Sequence, residues 1–196
     1  MQIKLYWGGA DCAAHYCGQD LDEADRRRLA LRPQLAQRTG WRISRYLKTY
    51  LEDGRCCLSH SGSVAVAVAG EAVGVDVETM LARDFSVWHR GWLRGDELRW
   101  LAQRGGQMAD YYALWTLKEA LLKAADLQFA DLPQVGLCRV GGRWRLTADG
   151  RFWQGAVWHL GADIAAACVW RGQAYCVWQG VGAAAVQPVR LWFQAA

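Results

Sequence analysis

The order of elements in this sequence predicts an α+β fold built from two similar-sized units. Two observations carry that prediction. Strand-rich and helix-rich blocks recur in both halves, residues 1–100 and 101–180, and one uninterrupted helical segment, Tyr111 to Lys123, opens the second half. Residues 181–196, with three consecutive alanines and Pro188, read as a weakly specified tail.

Gln2 to Trp7 predicts a short strand closed by Gly8-Gly9. A helix follows from about Leu21, with Asp22, Glu23 and Asp25 where a helix N-terminus favours negative charge. Pro33 breaks that helix or starts the next. In the next helix Arg38, Arg42 and Arg45 recur at i, i+4 and i+7, while Ile43, Tyr46, Leu47, Tyr50 and Leu51 supply the side expected to be buried. Its cationic face supports two readings: solvated surface, or a polyphosphate cradle in which guanidinium groups meet phosphate oxygens in pairs.

After a turn at Asp53-Gly54 the character becomes β, with strands expected over 56–60, 63–69 and 73–78. In the last of these, the period of two sets Val73, Val75 and Val77 on one face and Gly74, Asp76 and Glu78 on the other. Two carboxylates on one strand face repel unless water or a cation intervenes. A hard divalent cation takes such oxygen ligands together with substrate phosphates, and Gly74 leaves room for close approach to the backbone. Residues 84–90 and 94–104 read as helices, the second ended by Gly105-Gly106.

Tyr111 to Lys123 contains no Gly or Pro, and Leu114, Leu117 and Leu121 form one core-facing stripe. Trp115, Glu119 and Lys123 line a different stripe. Lys118 falls at the edge of the apolar side, where a lysine must snorkel outward or meet an anion. From Val135 to Gln179 short strands alternate with glycine turns.

At 196 residues and 53% hydrophobic content the chain can bury a substantial core. A net charge of +4 does not announce a nucleic-acid or membrane protein. Glu71 and Asp76 interrupt the valine-rich centre before any apolar run reaches transmembrane length, and the N-terminus lacks a signal peptide's apolar segment. The expectation is a soluble cytoplasmic protein. Seven scattered cysteines suit reduced core thiols. Cys12, His15 and Cys17 could supply three ligands, but no second cluster completes a zinc shell, so they read as a loop with incidental thiols. Twelve tryptophans are dispersed along the chain, as core and interface packing requires.

Taken together, Gly74-Val75-Asp76-Val77-Glu78, Trp115-Thr116-Leu117-Lys118-Glu119-Ala120 and Lys123 resemble the signature of the 4′-phosphopantetheinyl transferase superfamily, in its monomeric Sfp-like branch. That signature joins Gly-(Val/Ile)-Asp to Trp-(Ser/Thr)-x-Lys-Glu-(Ala/Ser)-x-x-x-Lys across about forty residues, the interval kept between Asp76 and Glu119. Leu-Ser-His-Ser, here Leu58 to Ser61, and the upstream arginine helix fit as well, so the likeness runs from about residue 21 to about 178. It implies a pseudo-twofold pair of α/β halves with coenzyme A in the cleft between them. The implied reaction moves the phosphopantetheine arm to a serine of an apo acyl or peptidyl carrier protein and releases adenosine 3′,5′-bisphosphate.

By resemblance, Asp76, Glu78 and Glu119 would hold Mg²⁺, and Ser59, His60 and Lys118 would contact the coenzyme's phosphates. Arg32 is the candidate for its 3′-phosphate. Glu119, with Lys123 beside it tuning position and charge, or alternatively a water on the metal, would take the serine proton. Two stretches depart from the pattern. Arg55 stands where many Sfp-like enzymes carry a Gly-Lys-Pro element, so that it replaces the lysine or the adenine pocket is reshaped. Ala125 to Phe129 stands in place of a Gly-x-Gly-Leu loop. The expected partners are coenzyme A and a carrier protein of fatty-acid, polyketide or nonribosomal-peptide synthesis, with no nucleic acid and no membrane, and the chain is expected to be a monomer.

Two rival readings remain at this point. A Mg²⁺-dependent nuclease or phosphoesterase also combines acids with a lysine, but the lysine such a site places two positions after its second acid is Met80 here. A non-catalytic anion- or nucleic-acid-binding domain could use the arginines and tryptophans, but leaves the acids unexplained.

Overall fold

The computed structural model describes residues 1–52, 54–89, 91–182 and 189–193. Four layers stack in the order helix, sheet, sheet, helix. The first sheet contains β1 (Gln2–Gly8), β2 (Cys56–Ser61), β3 (Val64–Ala69) and β9 (Tyr175–Val181), in the order β2-β3-β1-β9. β1 runs antiparallel to β3 and parallel to β9, with Ile3 opposite Cys176 and Trp7 opposite Gly180. The second sheet is antiparallel, with β4 (Val73–Thr79), β8 (Ile164–Trp170), β7 (Arg151–His159), β6 (Arg143–Ala148) and β5 (Gly136–Val140) in that order. β10 (Val189–Phe193) pairs antiparallel with β7.

The Val-Ala alternation of β3 explains how a strand can be buried on both sides. Val64, Val66 and Val68 meet Val73, Val75, Val77, Trp158 and Trp170 between the sheets. Ala65 and Ala67, on the opposite face, are small enough to let helix α2 (Thr39–Lys48) approach with Ile43 and Leu47. Beyond the second sheet lies α5 (Met108–Ala125), whose Leu114, Leu117 and Leu121 are fully buried against Leu137, Val157 and Val169.

Helix α1 (Glu23–Leu31) begins where the acids predict, and the Asp22 side chain caps it by accepting from the Asp25 amide at 2.8 Å. Pro33 starts a 3-10 turn, Pro33–Gln37, that leads into α2. The helices expected over 84–90 and 94–104 are α3 (Phe85–Trp88) and α4 (Gly95–Gln103). Arg90, at the end of the first, and Asp53 of the expected turn lie outside the described residues.

Two expectations need correction, on Tyr50 and on the tail. Tyr50 is 40% exposed, because α2 ends before it. Val189–Phe193, expected within the tail, forms a strand because β7 is longer than its pairing with β6 and leaves residues 155–159 free for another partner. Residues 183–188 and 194–196 of that tail lie outside the description. The chain also exchanges strands across residue 100: β4 joins the sheet of the later residues, and β9 returns to β1. All seven cysteines are free thiols. Among the described residues no helix is long and apolar enough to cross a membrane.

Candidate active site

The site begins with a glycine. A Cβ on Gly74 would lie 2.1 Å from the carbonyl oxygen of Ala120 and 2.6 Å from the amide of Ala124. The close approach that the sequence anticipates is therefore made by α5 itself, laid directly on the β4 backbone. Two residues along β4, Asp76 meets the same turn of the helix. Lys123 Nζ donates to Asp76 Oδ1 at 2.8 Å and to the Val75 carbonyl at 3.1 Å.

The other edge of β4 faces β2 through side chains. Val75, Val77 and Thr79 donate their amides to Cys57 Sγ, Ser59 Oγ and Ser61 Oγ at 3.4, 3.3 and 3.1 Å. This period-two ladder zips the edges of the two sheets together without a backbone pairing. The hydroxyls then turn to the acids. Ser59 donates to Asp76 Oδ1 at 2.7 Å, and Ser61 donates to Glu78 Oε2 at 2.8 Å. Ser59 therefore bridges Asp76 and the edge of β4.

Three carboxylates share one field. Burial raises the Glu78 carboxyl above its ordinary range and Asp76 adds to the effect, against bonds from Ser61 and the Trp115 side chain. Burial likewise raises Glu119, with Asp76 and Glu78 adding and Lys123 opposing. Lys123 is pulled down by burial, but Asp76, Cys57 and Glu119 reverse this and leave its pKa raised. Asp76 Oδ2 is buried with no hydrogen-bond partner among the described residues. An unpaired carboxylate oxygen beside two further carboxylates fits a hard divalent cation in kind and in charge. As the side chains stand, no three acidic, histidine or cysteine groups among the described residues are gathered into a ligand set. Asp76 Oδ1 and Glu78 Oε2 are instead engaged by Ser59, Lys123 and Ser61.

Beside Lys123 opens a cleft of about 880 Å³ lined by α1, α2, β2 and the end of α5. Arg32 and Arg55 both line it, as does His60. The surrounding protein, then Arg45 and Lys123, lower the pKa of His60. Arg38 also faces the cleft, and no carboxylate partners Arg32 or Arg38 among the described residues. Gly40 is required here, since a Cβ would stand 2.9 Å from His60 Nδ1.

Two groups of residues were not visible as site components in the sequence. Asp25, read as a helix-start charge, is 1% exposed and binds Arg45 at 2.9 Å and Lys48 at 2.7 Å, which also reaches Asp22. Arg45 is thus buried and stacked over Trp41 at 3.5 Å, not solvated. The signal that could have found this network is the pair of acids at i and i+3 facing two cations at i and i+3 on the next helix.

Lys118 departs from expectation in the opposite direction. It meets an anion, but inside the core: Nζ donates to Glu97 Oε2 at 2.7 Å and to the Val135 carbonyl at 2.8 Å, and both charged side chains are fully buried. Glu97 also accepts from the amides of Arg94 and Leu137. A Cβ on Gly136 would stand 2.0 Å from Glu97 Oε1. Lys118 does not line the cleft, so the phosphate contact inferred from resemblance is not where the side chain lies.

A search of curated proteins gives no match to this chain. The family profile of the 4′-phosphopantetheinyl transferase superfamily matches residues 72–169, half of the chain. That span runs from the strand carrying Asp76 and Glu78, through the helix carrying Glu119 and Lys123, to the strand paired with β4. The chain belongs to the 4′-phosphopantetheinyl transferase superfamily.

Proposed function

We propose that the protein is an Sfp-like holo-carrier-protein synthase, transferring the 4′-phosphopantetheine moiety of coenzyme A to a serine of an apo acyl or peptidyl carrier protein. The observation that carries this reading is Asp76, which keeps one buried oxygen without a partner among the described residues, shares its field with Glu78 and Glu119, and is held by Lys123, a residue that lines a cleft walled by arginines. The family uses coenzyme A as substrate and typically a divalent metal, here proposed to be Mg²⁺ held by Asp76, Glu78 and Glu119. When bound, the ion neutralises charge that builds on the pyrophosphate oxygens as the bond breaks.

The chain's own residues account for the remaining steps. Arg32, Arg38 and His60 offer donors to the nucleotide phosphates in the cleft. Glu119 sits between its role and its environment: a carboxyl with a raised pKa is a better-matched proton acceptor near neutral pH than an ordinary one. It takes the proton from the carrier serine Oγ as that oxygen attacks the phosphorus bearing the pantetheine arm. The bond to the bridging oxygen breaks, and that oxygen leaves on the 5′-phosphate of adenosine 3′,5′-bisphosphate. Lys123 holds Asp76 and offsets the summed negative charge. The two halves flanking the cleft, 1–100 and 101–180, are proposed to correspond to the pseudo-twofold repeat of the family.

The test is the mass of an apo carrier protein after incubation with the chain, coenzyme A and Mg²⁺. A gain of one phosphopantetheine is the expected outcome. An unmodified carrier, with binding of coenzyme A absent or with nucleic acid cleaved instead, would overturn the proposal.

A further inference from the structure

Two stretches of this chain leave the family pattern, and the structure brings them together. Arg55, just before β2, donates from Nη2 to Asp126 Oδ1 at 2.7 Å, and both residues line the cleft. Asp126 closes α5 in the left-handed conformation, φ 58° and ψ 37°. That backbone explains a small polar residue or a glycine, and asparagine would meet it as well as aspartate. It does not explain the charge. A carboxylate at a helix C-terminus faces the negative end of the dipole, which disfavours it unless a cation answers. Arg55 is that cation.

The rest of the cleft shows why this pairing differs from its neighbours. Arg45 and Lys48 are tied to the buried Asp25, so they stay engaged whatever enters. The Arg55–Asp126 pair is exposed, at 50% and 81%, and exposed pairs of this kind are worth little and exchange readily. Its guanidinium can therefore trade one carboxylate for a phosphate of similar geometry.

We infer that Asp126 is a competing anion for Arg55: the carboxylate vacates the guanidinium when a nucleotide phosphate enters the cleft and reclaims it when the nucleotide leaves. Asp126 thus sets the affinity of the cleft below what its arginines alone would give. Because adenosine 3′,5′-bisphosphate keeps its phosphates after transfer, the same competition favours its release. The inference rests on the proposed function for the identity of the nucleotide, and on the pair's geometry for the exchange.

Calorimetric titration of the wild-type chain and its variants with coenzyme A and with adenosine 3′,5′-bisphosphate tests it. Asp126→Asn should tighten both ligands by about two- to fivefold, the range an exposed pair allows. Asp126→Gly, which keeps the left-handed turn, should do the same. Arg55→Gln should weaken both, and the double variant Arg55→Gln/Asp126→Asn should match Arg55→Gln, because the gain passes through the guanidinium. Unchanged or weaker binding in Asp126→Asn overturns the inference while leaving the transferase reading intact, as does a gain that survives removal of Arg55. A wild-type chain that binds neither ligand overturns both.

Discussion

Helix α5 carries two lysines five positions apart, and they live in opposite worlds. Lys118 faces the core, paired with Glu97 in full burial, and desolvation lowers its pKa despite that partner. Lys123 faces the cleft, and its acidic neighbours outweigh burial to raise it. The first pair is closed: Glu97 has its oxygens filled by two amides and an ammonium. The second is open, since Asp76 keeps one buried oxygen without a partner. The same residue types serve as a strut on one face of the helix and as a site on the other. What separates them is whether the lone pairs are all spoken for.

The sharpest way to break the contrast is at the open end. Glu119→Gln should cut the transfer rate by about 10²–10⁴-fold, and Asp76→Ala should be at least as damaging, with the circular dichroism spectrum of each variant retained. Full activity in either would remove that acid from the chemistry. At the closed end, Lys118→Met should cost about 3–5 kcal/mol of unfolding free energy by leaving Glu97 buried and unpaired. Lys118→Met/Glu97→Gln, which removes the unpaired charge and keeps an acceptor for the Arg94 and Leu137 amides, should recover part of that in denaturant titrations, with coenzyme A affinity near wild type. Loss of coenzyme A binding in the double variant would return Lys118 to phosphate recognition.

The pH dependence sharpens the same contrast. Because burial raises Glu119 above its ordinary 4.5, the acid limb of the rate profile should lie above that value and vanish in Glu119→Gln. The sign for stability is opposite to that of an ordinary ion-paired acid. Between 4.5 and its raised value the folded chain holds a proton the unfolded chain has released, so Glu119 makes stability fall as pH rises through that window. Denaturant midpoints of wild type and Glu119→Gln across the window read this directly. A smaller effect is expected at the outer cleft, where Arg32→Ala should weaken coenzyme A by about ten- to a hundredfold, in keeping with the about 1.5–3 kcal/mol of a charged hydrogen bond, more than it lowers the maximal rate. An unchanged dissociation constant would take Arg32 out of the site.

Much of this architecture could be read in advance where the information is local. The leucine stripe of α5, the valines of β4 and the alternation in β3 each repeat at the period of their own element. The Lys118–Glu97 pair was not legible because its partner lies on another helix, 21 positions away. The sequence shows an unmatched lysine without showing which acid it meets. Ser59 and Ser61 were legible as a motif but not as a ladder, since their bonds to β4 depend on how two sheet edges align. The pairing of β9 with β1 depends on contact between the two ends of the chain and leaves no local pattern at all.

That last pairing carries a consequence in time. As the polypeptide emerges during synthesis, β1 must wait for residues 175–181 before it gains its parallel neighbour, and β4 must wait for β8. A fragment ending near residue 100 would therefore expose two unfinished strand edges, and complementing pieces should regain structure only when mixed. Such long-range closure is slow compared with local helix formation, so the strand that carries Asp76 and Glu78 is completed late, by residues about ninety positions further along the chain.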